Sequence, residues 1–208
     1  MTLTMGRTPM DSNELDQLRV VKRQVEFAVS NGRSTKWCLA LWSRFVRARD
    51  EHRCVNCGAT NTIQAHHIFR RTVLAEACFE PGNGITLCNE CHLKAHKIFN
   101  GRPARGEPLN ARGGDDQDEI AHLYGLLAED ADARELPHDE FYYISDRVLE
   151  RFAAWQGFES FRDLAKQGQI SRLRAAHEIW RNAPEPWYAN IASSIGTELL
   201  ASLIDKAR

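Results

Sequence analysis

Two Cys-x-x-Cys pairs, Cys54/Cys57 and Cys88/Cys91, constrain this chain more than any other feature. Each pair can close a tight knuckle, and two knuckles can converge on one tetrahedral ion at sulfur–metal distances of about 2.3 Å. The chain between them must then fold back on itself. Gly58 follows the first knuckle, where a backbone of unusual φ is often required. The 30 intervening residues exceed the roughly 15–20 of a short zinc ribbon, so an inserted functional hairpin is expected. The remaining cysteines are Cys38, read as core, and Cys78, read as a spare thiol in a loop. Met1–Met10 lacks the apolar centre of a signal peptide, and no apolar run approaches the roughly 20 residues a bilayer needs. A cytoplasmic location is therefore expected. There, paired cysteines indicate metal before disulfide, and the four thiolates are read as a closed structural zinc site.

A second metal problem lies inside the excursion. Residues 62–68, Thr-Ile-Gln-Ala-His-His-Ile, read as a short strand, and residues 85–88 as the returning one. Neighbouring residues on a strand face opposite ways, so His66 and His67 should have different tasks. A helix starting near Asn89 carries His92 and His96 at i and i+4, with Cβ atoms roughly 6 Å apart on one face. That spacing suits two imidazoles on one ion.

The His66-His67 pair, Asn83, His92, His96 and both Cys-x-x-Cys pairs follow one another in the order of the HNH endonuclease family, and residues 44–98 resemble its zinc-knuckle subgroup. The resemblance implies a ββα-metal, treble-clef-like finger around one catalytic ion. It implies that His67 is the general base and that His66, His92 and His96 hold the ion. Asn83 then fixes the loop and the base by hydrogen bonds or, as in some members, joins the metal shell. The backbone carbonyl of His67 itself, or Asn83, orients the base. Many relatives have aspartate where His66 stands, which bears on the ion. Imidazole favours Zn²⁺ or Ni²⁺, whereas Mg²⁺ or Mn²⁺ serves if water and phosphate oxygens complete the shell. The implied reaction is hydrolysis of DNA phosphodiesters, most naturally in duplex DNA, by an imidazole whose ordinary pKa near 6.5 suits proton abstraction at neutral pH. Duplex cleavage would require a homodimer or two encounters.

Charge is unevenly spread along the sequence. Residues 1–32 are neutral, residues 33–106 carry a net +7 and residues 107–208 a net −8. A basic middle segment suits a polyanion. Arg47, Arg49, Arg70, Arg71, Lys94 and Lys97 are the expected phosphate contacts, with Arg70-Arg71 foremost because it directly follows the His-His strand. The acidic remainder could dimerise, bind a regulatory partner or hold the nuclease inactive.

The expected class is α+β, mostly α. Helices are predicted over 12–31, capped by Asp11 or Ser12 with Glu14 at the capping-box position, and from Ser34 to about Asp50. They form an N-terminal unit, 1–50. The finger spans 51–100, a Gly- and Pro-rich linker 101–117, and a helical region of unknown role 118–208. Within that last region helical spacing recurs near 118–128, 141–155, 158–167, 170–182 and 188–206. Trp155, Trp180 and Trp187 are read as packing residues there. His52, His122, His138 and His177 stand alone and are read as surface or core. Glu90 lies between two zinc-binding cysteines and is read as exposed or supporting.

Two other functions compete. A non-catalytic zinc-finger DNA-binding module predicts loss of the His67 or Asn83 type, yet both stand. A zinc deaminase requires His-x-Glu ahead of Pro-Cys-x-x-Cys. Here the His138-Asp139-Glu140 triplet follows the cysteines and no proline precedes Cys88.

Overall fold

Asp11 opens the first helix with a complete capping box: its carboxylate accepts from the Glu14 N–H at 2.8 Å, and the Glu14 carboxylate accepts from the Asp11 N–H at 3.0 Å. The computed structural model describes residues 8–71, 74–96, 117–156 and 158–182. Helix α1 (Ser12–Ser30) ends at Asn31 and at Gly32, whose φ of +60° suits a residue without Cβ. Helix α2 (Thr35–Arg49) is capped by Ser34. Strands β1 (Ile63–His67) and β2 (Gly84–Cys88) pair antiparallel, with His66 opposite Ile85 and His67 opposite Gly84. Between them two 3₁₀ turns occupy Ala75–Phe79 and Pro81–Asn83. Helix α3 (Asn89–Ala95) leaves β2 without a loop. The helical region contains α4 (Gln117–Ala133), α5 (His138–Phe141), α6 (Asp146–Gln156), α7 (Glu159–Lys166) and α8 (Arg172–Arg181).

The expected α+β, mostly helical class is what the chain adopts. The segment expected to be helical over 141–155 divides instead. Tyr142–Ser145 is non-helical, because the Tyr143 carbonyl accepts from the Gly82 N–H at 2.9 Å and the Ser145 N–H is taken by the Glu80 carboxylate at 3.2 Å. Those bonds to the loop before β2 replace helical ones. The predicted linker up to residue 116, Trp187 and the segment near 188–206 lie outside the described residues. Among the described residues no helix is long and apolar enough to cross a membrane.

One contiguous cluster of buried side chains runs from Leu18 to Trp180. Phe69, just after β1, joins the two halves: its ring lies 5.2 Å from Phe152, 5.5 Å from Trp155 and 5.3 Å from Trp180. Burying a ring of this size contributes roughly 1.5–3 kcal/mol. Trp155 and Trp180 are thus core residues, as their helical spacing suggested.

Arg49 corrects an expectation. Its place in the basic segment suggests a phosphate contact, but its side chain is wholly buried. It forms a fork with Asp50 at 2.8 and 3.2 Å and donates to the carbonyls of Pro81 at 2.7 Å, Gly84 at 2.6 Å and Phe141 at 3.4 Å. Its guanidinium also lies 4.2 Å from the Tyr142 ring centre. Asp50 in turn accepts from the Thr86 N–H at 2.8 Å. The pair is a buried joint between α2, the start of β2 and the end of α5. A charge so deep is tolerated because each polar atom has a partner.

Candidate metal centre

The first knuckle is built by backbone bonds. The Gly58 N–H donates to the Cys54 carbonyl and the Cys54 N–H to the Ala59 carbonyl, both at 2.8 Å. Gly58 turns with φ +78°, as its position after the knuckle suggested. The Val55 N–H donates to the Thr86 carbonyl at 2.9 Å and moors this knuckle to β2. The second knuckle is the junction of β2 and α3, with Cys88 as the residue capping the helix and Cys91 in its first turn. The sulfurs of Cys54, Cys57, Cys88 and Cys91 all lie within 4.8 Å of one another, and Cys57 and Cys88 are 3.6 Å apart. Tetrahedral zinc with sulfurs at about 2.3 Å separates them by about 3.8 Å, so the cluster fits the ion. Asn56 donates to the Cys91 sulfur at 3.3 Å, supporting negative charge there. Burial raises the pKa of Cys57 and Cys91. At Cys88 burial also opposes ionisation, but the Cys91 N–H and the neighbouring thiols outweigh it and its pKa falls.

The imidazoles of His66, His92 and His96 form a second cluster, again with potential ligand atoms within 4.8 Å of one another. Ring centres are 4.6–5.0 Å apart and the rings stand edge to face. His66 is nearly buried on one side of β1, and the other two rise from the end of α3. Burial, helped by the facing imidazoles, holds His66 well below the ordinary histidine range and lowers His92 as well. Three neutral imidazoles can hold one divalent ion and leave a position open, the pattern of a reactive rather than a closed site.

His67 points to the other side of the strand, as alternation requires. Its ring stacks on Trp42, centroids 4.0 Å apart and planes within 9°. Its Nε2 lies 2.9 Å from the Cys78 carbonyl. A carbonyl only accepts, so Nε2 carries the proton and Nδ1 keeps a lone pair. Burial, and to a smaller degree the charge of Arg71, lowers the pKa of His67, while the bond to Cys78 opposes that shift. The backbone carbonyl of Cys78, rather than that of His67 itself or Asn83, therefore orients the ring.

Asn83 does not join the imidazole cluster. It is fully buried, and its Oδ1 accepts from the Phe69 N–H at 2.7 Å and the Tyr124 hydroxyl at 3.2 Å. Its Nδ2 donates to the Phe69 carbonyl at 3.0 Å and the Ala77 carbonyl at 2.9 Å. Ala77 precedes the residue that holds His67, so Asn83 is a positioning residue for the loop. Of the basic residues, Arg71 and Lys94 are exposed and Arg70 is half-buried. Arg47 is half-buried and donates to the Ser43 hydroxyl at 3.1 Å. Lys97 lies outside the described residues. Comparison with protein-family models, with curated proteins and with solved structures returns no match to this chain.

Trp42 and Cys78 act on His67 without having been assigned to the site from sequence. Trp42 lies on the apolar row of α2 and reads as core, which it also is. The Cys78 contribution is a carbonyl that any residue would offer, so no side-chain pattern could announce it. Among the solitary histidines, His52 and His122 are exposed; His138 bonds to Ser171 and Asp132, and His177 packs beside Gly125.

Proposed function

We propose that this chain is a metal-dependent HNH-type endonuclease that hydrolyses DNA phosphodiester bonds. The observation that carries the reading is the fixed imidazole of His67, one residue along β1 from a three-histidine cluster. Its Nε2–H is given to the Cys78 carbonyl, leaving Nδ1 to accept a proton from the attacking water. Its lowered pKa keeps that nitrogen unprotonated at neutral pH. The Trp42 ring beneath it prevents the imidazole from turning away. Bound to His66, His92 and His96, a divalent ion supplies Lewis acidity toward the phosphate and its departing oxygen. Arg71, exposed next to the strand loop, attracts the phosphate backbone without reading sequence. The four-cysteine cluster, filled by zinc, holds β2 and α3 together and has no part in the chemistry.

The test is incubation of supercoiled plasmid with the purified protein and Mg²⁺, Mn²⁺ or Ni²⁺, beside an EDTA control and His67→Ala. Metal-dependent nicking that falls by at least about 100-fold in His67→Ala is expected. Absence of cutting with every ion, or full activity in His67→Ala, overturns the reading.

A further inference from the structure

Helices α1 and α2 pack against each other as a hairpin, and among the described residues one side of it is lined only by these two helices and the turn that joins them. This side carries an open groove of about 750 Å³ lined by Phe27, Arg33, Trp37, Leu41 and Arg44 among others. Trp37, Leu41 and Arg44 share one face of α2 at i, i+4 and i+7. Phe27 and Trp37 leave 60% and 59% of their surface exposed. The charged residues lining the groove are both arginines, and among the described residues neither has a carboxylate partner.

Two exposed aromatic faces beside two unpaired guanidinium groups set the chemistry of a ligand. An apolar protein surface would cover the rings but strand the arginines in a desolvated contact. Duplex DNA would satisfy the arginines, yet its base faces are already stacked inside the helix. Unpaired nucleotides satisfy both, because each base offers a π-face and each link an anionic phosphate. Arginine pairs with such oxygens and stacks on bases as well.

We propose that the α1–α2 groove binds single-stranded DNA, with bases stacked on Trp37 and Phe27 and phosphates held by Arg33 and Arg44. The assignment of DNA as the strand rests on the nuclease reading, whereas the preference for unpaired bases comes from the groove. The same helix serves both sites. Trp42, beneath His67, lies five residues and about 7.5 Å along α2 from Trp37, roughly 140° around the axis.

The experiment uses the full-length zinc-loaded protein carrying His67→Ala, so that DNA is not consumed. Binding of a fluorescein-labelled oligothymidylate and of a labelled hairpin duplex is followed by anisotropy across a salt series. Trp37→Ala is expected to weaken single-strand binding by about tenfold, Trp37→Phe by much less, and Phe27→Ala/Trp37→Ala by more than either single change. Duplex binding should move less than about twofold, since it uses phosphate contacts elsewhere. Arg33→Gln/Arg44→Gln should weaken single-strand binding and flatten its salt dependence by about one to two contacts. This second variant is independent of any effect of losing the aromatic rings on folding. Unchanged single-strand affinity in both double variants overturns the proposal. A self-associating protein that Phe27→Ala/Trp37→Ala makes monomeric, with DNA affinity unchanged, assigns the groove to a second copy and also overturns it. Plasmid nicking by the protein with His67 intact is read separately. Nicking absent while strand binding depends on Trp37 removes the nuclease reading and leaves the groove assigned; the opposite pair of results removes only the groove.

Discussion

The imidazole of His67 lies flat against the indole of Trp42, and the residue paired with His67 across the sheet, Gly84, makes that contact sterically feasible. The rings are 4.0 Å apart and 9° from parallel. A Cβ at Gly84 would fall 2.6 Å from the Trp42 ring and 2.5 Å from Val46. Gly84→Ala is therefore expected to push the indole out of register, costing about 1–3 kcal/mol in denaturant unfolding. Nicking should fall further than the stability loss explains, because the support of His67 moves. An unaltered stability together with unaltered nicking contradicts this role for Gly84.

Asn83 satisfies four buried groups at once, on Phe69, Ala77 and Tyr124. Asn83→Ala leaves them unsatisfied, at about 1–3 kcal/mol for each one that water does not reach. A loss of at least about 3 kcal/mol in urea unfolding is expected. Asn83→Asp keeps the acceptor and loses the donor to the Phe69 and Ala77 carbonyls, so it should be intermediate in stability but still poor in nicking.

Burial of the Arg49–Asp50 pair makes Arg49 a structural residue. Arg49→Met leaves Asp50 without its counter-charge and should cost about 3–5 kcal/mol. Under conditions where the variant remains folded, the salt dependence of duplex binding should be unchanged, since Arg49 neutralises no phosphate. A reduced slope would return Arg49 to the DNA surface.

The four-cysteine and three-histidine clusters should separate by spectroscopy. With Co²⁺ in place of zinc, the four-thiolate site gives an intense sulfur-to-metal absorption that Cys91→Ala weakens and His66→Ala leaves intact. Removing the metal with a strong chelator should unfold the finger, since a structural zinc site contributes on the order of 10 kcal/mol. Loss of the absorption in His66→Ala would mean the clusters share ligands.

Glu80 supplies a pH test away from the cysteine and histidine clusters. Burial raises its pKa, although its carboxylate accepts from Ser145. The native state thus holds the proton more tightly than the unfolded chain. Its contribution is complete below the ordinary glutamate value and is lost as pH rises through the raised native one. Glu80→Gln keeps an acceptor for Ser145 without the charge. It should be more stable than the wild type at pH 8, and the difference should shrink steadily toward acid pH. A difference that grows toward acid would reverse the assignment.

The features legible in the sequence are those set by short-range geometry. Two cysteines with two residues between them close a knuckle whatever surrounds them. Two histidines four apart share a helix face, and an Asp11–Glu14 pair caps a helix through its own backbone. The alternation that separates His66 from His67 is likewise a property of any strand. Residues brought together across long sequence distances without a metal-ligand pattern to announce them were not legible. Nothing near Arg49 in the chain indicates that carbonyls from Pro81, Gly84 and Phe141 will surround it, so a basic residue on a helix reads as a solvent-facing charge. The helix expected from residue 141 gives way at Tyr142–Ser145 because its backbone bonds to a loop some 60 residues earlier. Local spacing thus determined which side chains could share an ion. Tertiary packing decided which nitrogen of His67 is protonated, which ring supports it and which arginine never meets solvent, because these depend on desolvation and on partners that only the folded chain assembles.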